Sequence, residues 1–440
     1  MQTAFTPEQM ADPEFAASHG QIRKCVHCGF CTSTCPTYAL LGDERDSPRG
    51  RIELIRSMLE KPDEAPSRTT VTHIDRCLSC LSCKTTCPSG VNYAQLIGHA
   101  RAHIEETYRR PWPERLVRAL IPQVLAYPKR LRAALALGRL ARPLVPVLDG
   151  LKLTTLATML RLVPEVGPQG ATAVRPQTPA DPRGRVALLR GCVEPAMAPQ
   201  IRAAAIRLLN RAGYEVVEAA GEGCCGALSE HLGRADEAQT FAQANVRAWR
   251  QAGRLDAIIT TAAGCGTMLK AYGHALASDS QLAAEGARAG DIARDIMEFL
   301  GEVGLPPVAR PHALTVAYHA PCSLQHGQGV RAAPQRLLAE AGYTVREVPE
   351  GHLCCGSAGV YNILQPELAG RLRDRKAANI ARTAPDVVSA GNIGCMVQIA
   401  PALDAPVVHP VELLDWATGG PRPAALDAAA AKRPVAHSGA

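Results

Sequence analysis

The sequence predicts a multidomain chain of α and α/β character: an α-helical, cysteine-rich domain followed by two tandem α/β modules. Three observations carry this reading. Two cysteine runs of identical spacing stand within the first 90 residues. A stretch rich in Pro, Gly and Ala (residues 167–184) separates them from the carboxyl-terminal part of the chain. In that part, a segment of about 130 residues occurs twice, each copy carrying a Cys-Cys-Gly triplet.

The first twenty residues form an extended or partly helical arm. They hold Glu8, Asp12 and Glu14 and no Lys or Arg, unlike a signal or transit peptide. No apolar run reaches the ~18 residues of a membrane span. The expected location is the cytoplasm, with peripheral contact on the cytoplasmic face of a membrane open to the chain.

Residues 21–110 contain the two runs, Cys25–Pro36 and Cys77–Pro88, both reading C-x2-C-x2-C-x3-C-P. Three cysteines at three-residue intervals wrap three corners of a [4Fe–4S] cubane. The fourth, before proline, reaches the neighbouring cluster in two-cluster ferredoxins. The first cluster is therefore expected on Cys25, Cys28, Cys31 and Cys87, and the second on Cys77, Cys80, Cys83 and Cys35. Zinc sites use C-x2-C pairs and disulfide frameworks belong to short secreted chains, so neither fits both runs. Between the runs, Arg51–Glu60 has helical periodicity after a turn at residues 46–50, and Tyr93–Tyr108 reads as a further helix. The domain is expected to be an α-helical two-cluster ferredoxin domain.

Residues 111–184 form a connector and linker. Over residues 109–161 eleven Lys or Arg stand against Glu114 and Asp149, interleaved with Leu and Val and cut by prolines. Such basic amphipathic helices suit an anionic membrane surface or an acidic partner. A plain inter-domain connector with a solvated Arg face is the alternative.

The repeats are expected at 185–310 and 311–418, with a flexible tail at 419–440. Cys192, Cys224, Cys225 and Cys265 form one set and Cys322, Cys354, Cys355 and Cys395 the other, each displaced by 130 residues. Strands are expected at Val186–Leu189, Tyr214–Glu218 and Ala257–Thr261 and at their counterparts Thr315–Tyr318, Tyr343–Val348 and Val387–Ser389. Cysteines at the carboxyl ends of parallel strands stand where α/β sheets place ligands. Four sulfurs per module admit an iron–sulfur cluster, zinc, or a metal-free dithiol. His27, His73, His319 and His352 lie beside cysteines, where a bystander role competes with tuning. Asp75-Arg76 reads as structural or solvated.

The order of ferredoxin runs and Cys-Cys-Gly modules resembles the iron–sulfur subunit family of bacterial glycolate oxidase. The resemblance spans Cys25 to about Trp416 and includes Cys25–Cys31, Ser47–Ile52 and Asp75–Cys80. It implies an electron conduit without flavin or substrate site. Flavin-containing dehydrogenase subunits would be its partners, in an oxidoreductase converting glycolate to glyoxylate, with a quinone or other membrane acceptor downstream. Glycerol-3-phosphate and lactate dehydrogenase subunits are similar. In the heterodisulfide reductase branch each module carries a fifth cysteine; Met268 and Gln398 stand there instead, against a thiol–disulfide enzyme. No G-x-G-x-x-G follows a strand, and no DNA-reading motif supports a nucleic-acid partner or sensor.

Overall fold

A computed structural model describes residues 1–164 and 174–432. The first part of the linker expected at 167–184 lies outside the described residues; 174–183 carry no regular structure before the first strand.

The cysteine-rich region is helical. Helix Pro48–Leu59 starts three residues earlier than expected, because Ser47 caps it by accepting from the Gly50 N–H and Pro48 supplies its first residue. A Cβ on Gly50 would stand 2.0 Å from the Glu44 carbonyl oxygen, so this approach admits only glycine. Helix Tyr93–Thr107 ends one residue short of its expected span, because Tyr108 is already extended. Ile55, Leu59, Ile74, Leu96 and Ile104 form an aliphatic core between these helices and Arg68–Asp75. The arm packs against it as helices Pro7–Ala11 and Pro13–Lys24, Phe15 standing edge-on to His99.

The connector is a run of helices, Trp112–Leu125, Pro128–Ala141, Val145–Gly150 and Thr154–Arg161. Its basic charge is not all solvated. Arg110 and Arg118 are buried and converge on Asp75 at 2.6 and 3.1 Å. This pairing makes Asp75 structural and ties the connector to the cysteine-rich region.

Each repeat is a four-stranded parallel sheet with helices on both faces. The first contains β1 (Gly184–Leu188), β2 (Tyr214–Val217), β3 (Ala257–Thr260) and β4 (Ala293–Asp295), in the order β2-β1-β3-β4. The second contains β5 (Thr315–His319), β6 (Thr344–Glu347), β7 (Val387–Ala390) and β8 (Val407–Val408), in the order β6-β5-β7-β8. Every pairing is parallel. The central β3 and β7 are buried throughout, as strands covered on both faces must be. The fourth strands β4 and β8 have three and two residues, too short to show alternation.

The sheets meet at their carboxyl ends. The Ala263 N–H donates to the Gly391 carbonyl at 3.3 Å, and Thr267 Oγ1 donates to the Ser323 carbonyl at 2.9 Å. Helix Pro199–Arg211 crosses Pro410–Ala417, where Arg207 Nε donates to buried Asp415 at 2.9 Å. The tail expected to be flexible is helical over Ala424–Lys432, with Leu426 buried; residues 433–440 lie outside the described residues.

Candidate metal centres

The two cysteine runs take the same backbone path. His27 and Gly29 in the first run, and Ser79 and Leu81 in the second, all have positive φ between 51 and 86°. Left-handed backbone at non-glycine residues costs roughly 1–3 kcal/mol each and persists where the surroundings enforce it. Here it turns successive cysteines toward one point.

Two adjacent cavities result. One, of about 430 Å³, is lined by Cys25, Cys28, Cys31 and Cys87 together with Cys83, which lines both cavities. The other, of about 310 Å³, is lined by Cys35, Cys77, Cys80 and Cys83. Each cavity thus combines three cysteines of one run with the fourth of the other, the crossed arrangement expected from the spacing. Polar atoms face the sulfurs of the second. Thr37 Oγ1 lies 3.3 Å from Cys35 Sγ, the Ser79 N–H donates to Cys77 Sγ at 3.4 Å, and Tyr93 Oη donates to it at 3.8 Å. Burial raises the thiol pKa of Cys80 and Cys83, so these sulfurs ionise only against compensating charge. Four thiols per cavity, with hydrogen-bond donors at hand, fit a thiolate-held cluster.

One source of that charge is not legible in the sequence. Arg51 is 1% exposed, and its Nη1 points at Cys35 Sγ from 3.9 Å. It is held by Asp46 at 3.3 Å and by the His73 carbonyl at 2.7 Å. Asp46 also pairs with His73 Nδ1 at 2.9 Å and Arg76 at 3.0 Å. His73 therefore belongs to an internal ion network rather than to a sulfur. His27 meets Met1 Sδ instead of a cysteine.

In the repeats the triplet's glycine has a physical reason. Gly226 and Gly356 both have φ +91°, and a Cβ would stand 2.8 Å from the Ala238 carbonyl oxygen and 2.6 Å from that of Ala369. The backbone turns so that Gly226 N–H donates to Cys224 Sγ and Gly356 N–H to Cys354 Sγ, each at 3.4 Å. The expected four-cysteine sets come together. Sulfur contacts run Cys192–Cys224–Cys225–Cys265 and Cys322–Cys354–Cys355–Cys395, with Cys322 and Cys354 Sγ 3.7 Å apart.

Cysteines of both sets line one large, mostly apolar chamber of about 2480 Å³. Ile121, Leu135 and Met159 of the connector roof it, and Leu78 and Ser79 of the second cysteine run reach its wall. Glu194 faces it too, buried, with both carboxylate oxygens 2.8 Å from Thr261 Oγ1. Burial pushes its carboxyl up to about 7. His326, which the sequence did not single out, joins Thr85 of the second run to the second repeat at 2.8 Å. His352 meets this pair only through its carbonyl, 3.2 Å from His326 Nε2.

A 4Fe-4S dicluster domain family matches residues 21–91, and a cysteine-rich domain family matches residues 186–270 and again 316–400. The glycolate oxidase iron-sulfur subunit of Escherichia coli strain K12 is 38% identical over 95% of this chain and 99% of its own. The chain belongs to the glycolate oxidase iron-sulfur subunit family. A probable glycolate oxidase iron-sulfur subunit of Bacillus subtilis strain 168 is 31% identical over 86% of this chain and 88% of its own. A Helicobacter pylori hypothetical protein shares the fold with a TM-score of 0.57 at 8% identity, over 96% of this chain and 75% of that one. As a glycolate oxidase-type iron–sulfur subunit the chain is part of an oxidoreductase that transports electrons. No helix among the described residues is long and apolar enough to cross a membrane.

Proposed function

We propose that this subunit carries electrons from a flavin on partner dehydrogenase subunits, which oxidise glycolate to glyoxylate, to a quinone-class acceptor. Two [4Fe–4S] clusters, one on Cys25, Cys28, Cys31 and Cys87 and one on Cys35, Cys77, Cys80 and Cys83, would supply the one-electron steps between those two-electron partners. The observation that carries the reading is the crossed pair of thiol cavities, whose second member adjoins the apolar chamber through Leu78 and Ser79.

The chain's own residues support each part of this. Arg51 holds positive charge beside Cys35 where electrons would arrive. The chamber's leucines give it an apolar lining that suits a hydrophobic acceptor. Glu194, half protonated near neutral pH, holds at its carboxylate a proton that reduction of a quinone consumes. Leu137, Leu140, Val147 and Leu151 are exposed on the basic connector, as a peripheral contact with an anionic cytoplasmic membrane face requires.

The test is the anaerobic, assembled complex with glycolate and a short-chain ubiquinone analogue. Cys28→Ser and Cys80→Ser should each lower quinone reduction at least 100-fold while flavin bleaching by glycolate persists. Glu194→Gln should slow quinone reduction without slowing a one-electron dye. Quinone turnover unchanged in the cysteine variants would refute the reading.

A further inference from the structure

The two repeats differ at buried positions beside their thiols. His319 ends β5, is 1% exposed, and neither ring nitrogen has a hydrogen-bond partner. Leaving such groups buried and unpaired is costly, because they lose water without gaining a partner. A ring nitrogen of His319 and the sulfurs of Cys355 and Cys395 lie within 4.8 Å of one another. Cys322 and Cys354 continue the same group of sulfurs.

Lys376 is 2% exposed; burial pulls its pKa down, and Cys355, Cys354 and Cys395 are near enough to oppose that shift if ionised. Its hydrogen bond is to the Glu350 carbonyl at 2.8 Å; the Glu350 carboxylate is taken by Arg375 and Asn379. A buried ammonium needs anions near it, and neutral thiols supply none. At the matching positions the first repeat has Leu189 in place of His319 and, in the helix register that sets Ala238 and Ala369 against the two triplet glycines, Asn245 in place of Lys376; Asn245 Nδ2 donates to the Cys224 carbonyl at 2.8 Å.

We propose that the second repeat holds an iron–sulfur centre of its own, ligated by Cys322, Cys354, Cys355, Cys395 and the imidazole of His319, with Lys376 as its counter-charge. Five donors exceed the four of a tetrahedral zinc site, and imidazole replaces thiolate on some iron–sulfur clusters. Ligation would give one of the orphaned nitrogens and the ammonium a purpose: that nitrogen on iron, and thiolates opposite the lysine. The position is favourable for electron transport. Cys80 of the second ferredoxin-type cavity shares one apolar core with Cys322, Cys354, Cys355 and Cys395, and Cys80 and Cys322 are close enough to feel each other's charge.

The anaerobically purified full chain decides it. Iron and acid-labile sulfide should clearly exceed about eight each per chain, the content of two cubanes. Pulsed electron paramagnetic resonance of the reduced protein should show imidazole-nitrogen coupling on one signal. His319→Leu, which copies Leu189, should abolish that coupling and speed iron loss to a chelator about tenfold or more. Cys354→Ala should bring iron down to about eight per chain. Cys224→Ala, the same place in the first repeat, should leave the nitrogen-coupled signal intact. About eight iron in the parent chain, zinc in place of the extra iron, or extra iron without nitrogen coupling overturns the proposal. Those parent-chain readings need no substitution, so a variant that fails to fold cannot obscure them.

Discussion

At the scale of single residues, the internal cation Arg51 has the most specific consequence. Asp46 keeps His73 and Arg76 as partners when Arg51 is removed, so Arg51→Met takes away the charge beside Cys35 without orphaning the carboxylate. A unit charge several ångströms from the sulfur is worth ~100 mV for a one-electron couple at an effective dielectric of about 20. The midpoint potential of one cluster should fall by about that much in an anaerobic redox titration, and the other should move less; two unmoved potentials would remove Arg51 from this role. The cysteine runs were legible in the sequence because their spacing is local. Arg51 was not. Its partners Asp46, Thr37 and the His73 carbonyl come together only when helices Pro48–Leu59 and Arg68–Asp75 pack. Glu194 and Lys376 were hidden for the same reason, their meaning residing in burial. His319 stood out beside its cysteine, but only the structure exposes its two unmet nitrogens.

At the scale of elements, the strand–turn–helix unit around each triplet depends on its glycine. Gly356→Ala would force a Cβ into left-handed backbone and to 2.6 Å from the Ala369 carbonyl oxygen, so helix Pro366–Ala381 must shift. We expect a loss of about 3 kcal/mol or more, since strain and a backbone clash combine. Gly370, in the same helix and with nothing within 4 Å, is the control; its change to Ala should stabilise by roughly 0.5–1 kcal/mol. Anaerobic urea unfolding of both variants measures the difference, and equal midpoints would contradict the clash. The period-2 and buried-run patterns revealed the first three strands of each repeat. They could not reveal β4 and β8, whose pairing to β3 and β7 is set by the sheet rather than by their own few residues. The connector's helices were legible, but the inward turn of Arg110 and Arg118 was not, because their partner Asp75 lies in a different, earlier helix.

At the scale of the whole molecule, buried titrating groups give stability a pH optimum. Burial raises Glu194, Asp295 and Glu412 to about 7. Between about pH 4.5 and 7 the folded state therefore holds protons the unfolded chain has released, and their stabilisation fades as pH rises. Burial lowers His231 and His409 to about 4, so over about pH 4–6.5 stability from these groups grows with pH instead. Glu194→Gln separates the two trends. Relative to the parent it should gain up to about 3 kcal/mol between pH 4.5 and 7.5 in anaerobic denaturant unfolding; a constant difference would place the ordinary carboxyl value at Glu194. The crossed cavities also constrain how the molecule is made. Each takes three cysteines from one run and its last from the other, so Cys87 lies in the cavity of Cys25 and Cys35 in that of Cys77. During synthesis, then, neither cavity has its full set of thiols until Cys77–Cys87 have left the ribosome and docked. Biogenesis is interlocked, and a nascent chain stalled before the second run offers the assembly machinery two incomplete cradles rather than one finished one.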